Sequence, residues 1–214
     1  MTLEIKMMTL GLAVTNCYII GDTETNEAIL IDPVDDAQLL NETATDAGWT
    51  IKRILATHGH FDHVLASKEL KELTKAPFYI HEDALPFLDR LPETGMRFTG
   101  KLFPEAATPD IFLKTESETI ELGAIKLTTL FTPGHAPGHI SFYMPDHKIL
   151  FSGDTLFKGS IGRTDLPGSN YETLMQSISD KLMTLPDDVQ VLAGHMTPTT
   201  IGHERKTNPF ILRK

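Results

Sequence analysis

The chain of 214 residues is long enough to bury one large core, and its 41% hydrophobic and 22% charged residues are ordinary for a globular protein. Its 29 acidic against 19 basic residues give a formal charge of −10, which disfavours nonspecific binding to nucleic acid or to an anionic membrane surface. The single cysteine excludes an internal disulfide and suits a reducing compartment. We therefore expect one domain over residues 1–214, with no nucleic-acid or membrane partner. The oligomeric state is left open.

Nothing in the sequence predicts export or membrane insertion. The N-terminus carries Glu4 and no long apolar core, so it lacks the pattern of a signal peptide. No apolar run approaches the roughly 18 residues that a membrane span requires. Cys17 lies in the apolar run Cys17–Ile20 and is interpreted as a buried core residue rather than a reactive thiol. We expect a cytoplasmic protein.

The first half of the chain consists of strands and helices with short turns between them. Three strands separated by Gly-Asp and Thr-Asn turns predict an antiparallel meander at the start. Two amphipathic helices and two further strands follow. The predicted strands are Leu3–Leu10, Asn16–Ile20, Glu27–Ile31, Ile51–Ala56 and Pro77–Ile80, and the predicted helices are Asp35–Ala47 and Val64–Leu73.

Residues 86–117 interrupt this pattern. From Pro86 to Thr115 the sequence contains Pro, Gly and Thr with isolated Phe residues, and it shows no clear periodicity. Loops of that length inside a compact domain are usually functional. We therefore interpret the segment as a lid over the site.

The second half of the chain repeats the order of strands followed by a helix. Polar loops stand at matching strand ends in both halves, which predicts an α/β fold with two sheets packed face to face and helices outside. The predicted strands are Thr119–Glu121, Ile125–Phe131, His139–Met144, Lys148–Ser152 and Val189–Ala193, and the predicted helix is Tyr171–Thr184.

The densest set of metal-ligand side chains follows directly on the strand that ends at Ala56. Within six residues the chain carries His58, His60, Asp62 and His63. Imidazole and carboxylate ligands together suit zinc, iron or manganese, and the absence of a thiolate argues against a closed structural zinc site. If the segment were only a solvated polar loop, four ligand-type side chains would have to fall within six residues by chance. The segment therefore predicts an open, catalytic metal site.

Three later loops each place one further candidate ligand just after a predicted strand. These ligands are His135, Asp154 and His195. A glycine beside each of them permits a tight turn and a close backbone approach. Each motif alone is weak, because Gly-His and Gly-Asp are common in turns. Together with the first loop they supply seven candidate ligands.

The four motifs resemble those of a known family. His-x-His-x-Asp-His at residues 58–63, Thr-Pro-Gly-His at 132–135, Gly-Asp-Thr at 153–155 and Gly-His at 194–195 are similar to the metallo-β-lactamase superfamily. Within it, the chain most resembles the glyoxalase II-like hydrolases, also called hydroxyacylglutathione hydrolases, of the short bacterial type. The resemblance covers nearly the whole chain. It implies an αββα sandwich of two mixed sheets with helices on the outer faces.

The resemblance also implies two divalent metal ions per chain, zinc in the first place, with iron or manganese as alternatives. Two such ions close together repel each other, so an anionic bridge between them is needed. True β-lactamases lack the bridging aspartate, which makes antibiotic hydrolysis a weak hypothesis here. The ligands implied are His58, His60 and His135 for one metal, Asp62, His63 and His195 for the other, and Asp154 as the bridge.

The activity that the resemblance implies is hydrolysis of a glutathione thioester such as S-lactoylglutathione. A metal-bridging hydroxide would attack the acyl bond, and no serine or cysteine nucleophile would be needed. The catalytic residues implied are Asp62, which would orient the hydroxide, and the bridging Asp154. The partner is therefore a small anionic thioester.

Four basic residues are candidates for binding that anionic substrate. Arg163 lies nine positions after Asp154, where glyoxalase II enzymes carry a basic residue that contacts a glutathione carboxylate, and Lys158 lies in the same segment. Arg205 and Lys206 lie near the C-terminus. The alternative for Arg163 is an ion pair with its neighbour at position 165, and Arg205 and Lys206 are equally well explained as surface charges.

Two departures from the glyoxalase II pattern bear on the substrate. Thr197 replaces the family's Tyr two residues after the last histidine ligand, and most of the C-terminal helical domain of full-length members is lacking. A persulfide dioxygenase with a single iron, or a lactonase or another esterase on the same fold, therefore stays open. Metal stoichiometry would separate the dioxygenase from the dinuclear hydrolase.

Four histidines lie outside the proposed ligand set. His139, four residues after His135, is interpreted as packing or as an orienting partner of a ligand. His81 and His147 lie in turn-like contexts and are expected to be exposed. His203 has no assignment.

Overall fold

A computed structural model describes residues 3–212. By the contacts within it, the chain divides into two compact units. The first comprises Met1–Leu113 with Glu121–Ile125, and the second comprises Lys114–Ile120 with Lys126–Lys214. One domain over residues 1–214 stays a prediction.

The first unit contains a mixed six-stranded sheet in the order β1-β2-β3-β4-β5-β6. Neighbouring strands are antiparallel from β1 to β3 and parallel from β3 to β6, so the predicted N-terminal meander is confirmed. The strands are β1 (Leu3–Leu10), β2 (Thr15–Asp22), β3 (Glu27–Ile31), β4 (Thr50–Leu55), β5 (Phe78–His81) and β6 (Ile111–Leu113). The helices are α1 (Ala37–Asp46), α2 (Phe61–Val64), α3 (Ser67–Thr74), α4 (Leu85–Asp89) and α5 (Leu91–Thr99).

Strand β2, which lies between β1 and β3, is buried at all eight positions, which is the pattern of a strand covered on both faces. Cys17 on this strand is 0% exposed, which confirms it as a core residue. Burial raises the pKa of its thiol well above the usual value, and the nearby Asp32 carboxylate raises it further. Because the thiolate is the reactive form, this thiol is not a nucleophile.

The prediction of irregular structure over residues 86–115 is wrong. Two short helices, α4 and α5, and the edge strand β6 lie there. Pro86 and Pro92 each stand in the first turn of their helix, where no amide hydrogen is needed for the helical ladder, so these prolines do not interrupt helical structure. Helices of five and nine residues are also too short to show a clear period. The lid function of the segment stays a prediction.

The second mixed sheet also has six strands, in the order β14-β13-β10-β9-β8-β7, and a two-stranded ribbon pairs β11 with β12. The strands are β7 (Thr119–Leu122), β8 (Ile125–Phe131), β9 (Ile140–Met144), β10 (Ile149–Gly153), β11 (Leu156–Phe157), β12 (Ser160–Ile161), β13 (Gln190–Ala193) and β14 (Thr199–Thr200). The helices are α6 (Tyr171–Ser177), which continues as a wider turn through Leu182, α7 (Ile201–Thr207) and α8 (Pro209–Leu212).

Strand direction in the second sheet brings three strand ends to one edge. β10 is parallel to β13, and β9 is antiparallel to both β8 and β10. The carboxyl ends of β8, β10 and β13 therefore lie on the same side of the sheet. The loops that carry the three later candidate ligands begin at these ends.

Each unit has its own apolar core. In the first, α1 and α3 pack on the sheet around Leu40, Trp49 and Phe78. In the second, α6 and α7 contribute Leu174 and Ile201 to a cluster with Leu150 and Val191. Each core holds its sheet rigid, so that the loops at the strand ends have fixed positions.

No helix within residues 3–212 is long and apolar enough to cross a bilayer.

Candidate metal centre

In the first unit, four candidate ligands stand at the carboxyl end of β4. His58 and His60 lie in the loop that follows the strand, and Asp62 and His63 lie in α2, which begins directly after His60. His58 Nε2 is 3.0 Å from His60 Nδ1, and Asp62 Oδ2 is 3.5 Å from His63 Nε2. The ligand atoms of His58 and His63 lie within 4.8 Å of each other. The structure therefore brings these four side chains together.

A buried carboxylate behind this loop sets the orientation of two of the histidines. Asp32 accepts hydrogen bonds from the backbone N–H of Thr57 at 2.7 Å, from Thr57 Oγ1 at 2.9 Å and from His63 Nδ1 at 2.8 Å. Because the Thr57 hydroxyl donates to Asp32, it accepts from His58 Nδ1 at 3.0 Å. Both imidazoles thus carry their proton on Nδ1, which leaves Nε2 as the metal-binding nitrogen.

Asp62 is held by a hydrogen bond from β2, which is separated from β4 by β3 in the sheet. Thr15, which is fully buried at the start of β2, donates its hydroxyl to Asp62 Oδ2 at 2.7 Å. On the other side of the loop, the Phe87 ring contacts His60 with centroids 5.4 Å apart. The segment that contains α4 thus packs against the ligand loop within this unit.

In the second unit, Asp154 stands between two histidines. Its Oδ2 lies 3.5 Å from His135 Nε2 and 3.3 Å from His195 Nε2. Asp154 and His135 are buried, whereas the His195 side chain is 23% exposed. One carboxylate oxygen therefore contacts both imidazoles, as expected of a shared ligand.

Backbone contacts fix the orientation of His135. Its Nδ1 donates to the carbonyl oxygen of Arg163 at 2.9 Å, so Nε2 is again the nitrogen without a proton. Gly134 has a φ of 131°, and a Cβ on it would lie 2.2 Å from Leu174 N, so only glycine fits next to this ligand. A Cβ on Gly162 would lie 1.9 Å from the carbonyl oxygen of Asp154.

The donor atoms in each unit are spaced as metal ligands are. Two atoms bound to one tetrahedral ion at about 2.0–2.1 Å are about 3.3–3.4 Å apart. The separations of 3.3 and 3.5 Å around Asp154, and of 3.5 Å between Asp62 and His63, are within a few tenths of that value. Imidazole nitrogens with carboxylate oxygens are a donor set for zinc, iron or manganese. The residues present thus fit a divalent metal ion.

The side chain of Arg163 is paired with its neighbour. Its Nε and one terminal nitrogen each donate to a different oxygen of Asp165 at 2.7 Å. This bond lowers the pKa of Asp165 to about 2, so the carboxylate stays charged at any pH used for an assay. The pair is exposed, with 62% of the Arg163 side chain and 67% of the Asp165 side chain accessible. A substrate carboxylate would have to compete with Asp165.

The other basic candidates lie in different surroundings. Lys158 is exposed in the turn between β11 and β12 and lines a shallow cavity of about 460 Å³ together with His203. Arg205 donates to the carbonyl oxygens of Met183 and Leu185 and forms an ion pair with Asp187. Lys206 is exposed, 3.7 Å from the same aspartate. The contacts of Arg205 are those of a structural residue, whereas Lys158 stands at an accessible surface.

Sequence reasoning missed Asp32 and Thr15 and misplaced His81. Asp32 was given no role, although an aspartate directly after a run of buried apolar residues needs hydrogen-bond partners. His81 was expected to be exposed, but it is 4% exposed, and its Nδ1 accepts from the backbone N–H of Asp83 at the start of a helical turn. His147 is exposed, as predicted.

The chain matches known proteins over nearly its whole length. The domain description "Metallo-beta-lactamase superfamily" matches residues 10–195. A protein of Haemophilus influenzae named hydroxyacylglutathione hydrolase GloC is 42% identical over 200 residues, which are 93% of each chain. These matches agree with the family resemblance seen in the motifs.

Two solved structures are similar in fold. The crystal structure of BLEG-1 B3 metallo-beta-lactamase has a TM-score of 0.91 and 36% identity, and the match covers 98% of this chain and 100% of that one. The crystal structure of TTHA1623 in a di-iron-bound form has a TM-score of 0.85 and 38% identity, with 96% and 99% covered. The predicted α/β class, with two mixed sheets and helices, is confirmed. The chain belongs to the metallo-beta-lactamase superfamily and is a metal-dependent hydrolase of that family.

Proposed function

We propose that the chain hydrolyses a glutathione thioester such as S-lactoylglutathione and that it uses two divalent metal ions to do so. The observation that carries the proposal is the 42% identity to the hydroxyacylglutathione hydrolase of Haemophilus influenzae over 93% of each chain. The complete set of seven candidate ligands in this chain supports it. We also propose that the protein is cytoplasmic, because its single cysteine suits a reducing compartment. The formal charge of −10 supports the proposal that it has no nucleic-acid or membrane partner.

The metal assignment follows the family motif. Asp154 would be shared by both ions, which its contacts with His135 and His195 support. The di-iron form of TTHA1623 supports two ions per chain, and zinc remains our first choice for a set of imidazole and carboxylate ligands. The proposed ligands are His58, His60, His135 and Asp154 for one ion and Asp62, His63, His195 and Asp154 for the other.

When bound, such a pair of ions lowers the pKa of a water molecule and polarises a substrate carbonyl. The protein residues orient the ligands for this chemistry. Asp32 holds His63 directly and His58 through Thr57, and the Thr15 hydroxyl fixes one oxygen of Asp62. The carboxylates of Asp62 and Asp154 supply the negative charge that offsets two divalent ions.

Two other activities are alternatives, one from a similar solved structure and one left open by the sequence. The similarity to BLEG-1 makes β-lactam hydrolysis an alternative, although the bridging Asp154 favours the thioesterase. A persulfide dioxygenase on the same fold would bind a single iron. Both alternatives differ from the proposal in substrate, and the dioxygenase also differs in metal content.

The test of the proposed function combines substrate specificity with metal content. Purified protein is assayed against S-lactoylglutathione, a neutral acyl thioester, a chromogenic cephalosporin and glutathione persulfide, and its metals are counted on the same sample. We expect two metals per chain, hydrolysis of the glutathione thioester and loss of activity on chelation. A single iron with oxygen consumption on the persulfide would establish the dioxygenase instead, and preference for the cephalosporin would establish the lactamase.

Arg163 is the residue whose substitution tests the glutathione assignment most directly. If its guanidinium holds a substrate carboxylate, Arg163→Ala raises KM for glutathione thioesters by about ten- to a hundredfold, since a charge-assisted bond contributes about 1.5–3 kcal/mol. A remote anchor binds ground and transition states alike, so kcat stays unchanged. Steady-state kinetics on glutathione and neutral thioesters measure both quantities.

Asp165→Asn is the matched control for that prediction. It removes the carboxylate that competes for the Arg163 guanidinium, so KM for glutathione thioesters is expected to fall or to stay the same. If both variants impair all substrates equally and lower the melting temperature, the pair between Arg163 and Asp165 is structural. The glutathione assignment would then lose its best support from a single residue.

A further inference from the structure

His139 lies fully buried in the second unit, at the end of the loop that carries His135 and against the loop that carries Asp154. It stands directly before β9 and is 0% exposed. The sequence left its role open between packing and orientation of a ligand. The hydrogen bonds of its ring distinguish these two roles.

One side of the imidazole holds the peptide of Asp154. His139 Nε2 accepts a hydrogen bond from the backbone N–H of Asp154 at 3.0 Å. A backbone amide can only donate, so Nε2 carries no proton in this arrangement. The proton of the neutral ring is therefore on Nδ1.

The other side of the imidazole faces two hydroxyl groups. His139 Nδ1 lies 2.9 Å from Thr132 Oγ1 and 3.3 Å from Thr155 Oγ1. The Thr132 hydroxyl is also 2.9 Å from Ser141 Oγ, which in turn bonds to the carbonyl oxygen of Ser152 at 3.3 Å. Within this buried network, the Nδ1–H can donate to Thr132, and the Thr132 hydroxyl can donate to Ser141.

Thr132 is bonded to His139 through the backbone as well as through its side chain. The backbone N–H of Thr132 donates to the carbonyl oxygen of His139 at 2.9 Å. Thr132 begins the loop of residues 132–139 that carries His135, and Asp154 is the residue whose backbone N–H donates to the ring. His139 thus connects the position of His135 to that of Asp154, whose ligand atoms are 3.5 Å apart.

We propose that His139 is a positioning residue, which sets the separation of His135 and Asp154 through a ring that accepts from the peptide of Asp154 and donates to Thr132 at the start of its own loop. The proposal rests on the metal centre proposed above. An apolar side chain of similar size would fill the same space, but it would remove the Nε2 that accepts from the buried N–H of Asp154 and the Nδ1–H that donates to Thr132. Partners of this kind commonly change metal affinity by about ten- to a hundredfold when they are removed.

The experiment compares His139→Leu with His139→Gln, since a glutamine oxygen can accept where Nε2 does. Metal affinity is measured by competition with a chelator, and the melting temperature is measured on metal-free protein. We expect His139→Leu to weaken metal binding about ten- to a hundredfold and His139→Gln to restore most of that loss. His147→Leu, at an exposed histidine of the same unit, is the matched control and leaves metal affinity unchanged.

A double-mutant cycle separates positioning from general packing. If His139 acts through Asp154, then His139→Leu causes little further loss of affinity in an Asp154→Asn background, because the two substitutions affect one ligand. If His139→Leu does not fold, Thr132→Val takes its place in the cycle, since it removes the partner of Nδ1 with little change of shape.

Four outcomes would overturn the proposal. Unchanged metal affinity in folded His139→Leu, or additive losses in the cycle, would show that the histidine only fills space. Equal losses for leucine and glutamine would show that the acceptor at Nε2 is irrelevant. Failure of the unsubstituted protein to bind any metal would instead refute the proposed metal centre, and the inference with it.

Discussion

Asp154→Ala is expected to lower turnover by at least about a thousandfold and to remove most of the bound metal. The substitution deletes a carboxylate that contacts both His135 and His195, and it reduces the negative charge that offsets the repulsion between the two proposed divalent ions. Bound metal ions contribute several kcal/mol to transition-state stabilisation, and about 4 kcal/mol corresponds to roughly a thousandfold in rate. Turnover of S-lactoylglutathione and metal content per chain measure the two effects.

The control for that substitution is Asp146→Ala, which removes an exposed carboxylate of the second unit in a helical turn after β9. It should leave both turnover and metal content unchanged. Retention of two metals and full turnover in Asp154→Ala would contradict the dinuclear assignment. Retention of one metal with persulfide oxidation would favour the single-iron alternative.

Asp32→Asn is expected to have the second largest effect, on both folding and metal binding. The amide would present a donor to His63 Nδ1 or to Thr57, each of which donates to the carboxylate in the native structure. A buried donor left without its acceptor costs about 1–3 kcal/mol, and more where the acceptor is charged. We therefore expect the free energy of unfolding to fall by about 2–3 kcal/mol and metal affinity to fall about ten- to a hundredfold.

Asparagine is chosen because it changes the side-chain hydrogen bonds of Asp32 without changing the backbone conformation. Asp32 has a φ of 58°, and asparagine tolerates this left-handed conformation as well as aspartate does. Urea unfolding of the metal-free protein and chelator competition are the measurements. Asp46→Asn, at an exposed position of α1, should change stability by no more than about 0.5 kcal/mol. Equal metal affinity in Asp32→Asn and the unsubstituted protein would show that Asp32 does not orient His58 and His63.

The sequence predicted those elements whose cause is local. β1 and β3 have the predicted bounds, and α1 and the long strand β8 were predicted closely, because their apolar residues recur at the period of the element and turn residues flank them. The ligand motifs were also readable, since each follows a strand within a few residues.

Contacts between distant residues determined what the sequence could not show. The carboxylate of Asp32 meets Thr57 and His63, which are 25 and 31 residues away, and the Thr15 hydroxyl meets Asp62 at a distance of 47 residues. Nothing in the residues next to Asp32 or Thr15 specifies these partners. Only the pairing of neighbouring strands brings them to the ligand loop.

The sequence by itself thus determined the family, the metal-ligand residue types and the positions of most strands along the chain, since these depend on spacing along the chain. The tertiary structure decided how each ligand is oriented. It also decided that His81 and His139 are buried hydrogen-bonding residues and that Arg163 faces Asp165. The physical reason is that a polar side chain takes its role from the groups that the fold places around it. For Asp32, Thr15 and His139 these groups come from distant strands and loops, whereas His81 and Arg163 contact residues two positions away in an arrangement that the fold selects.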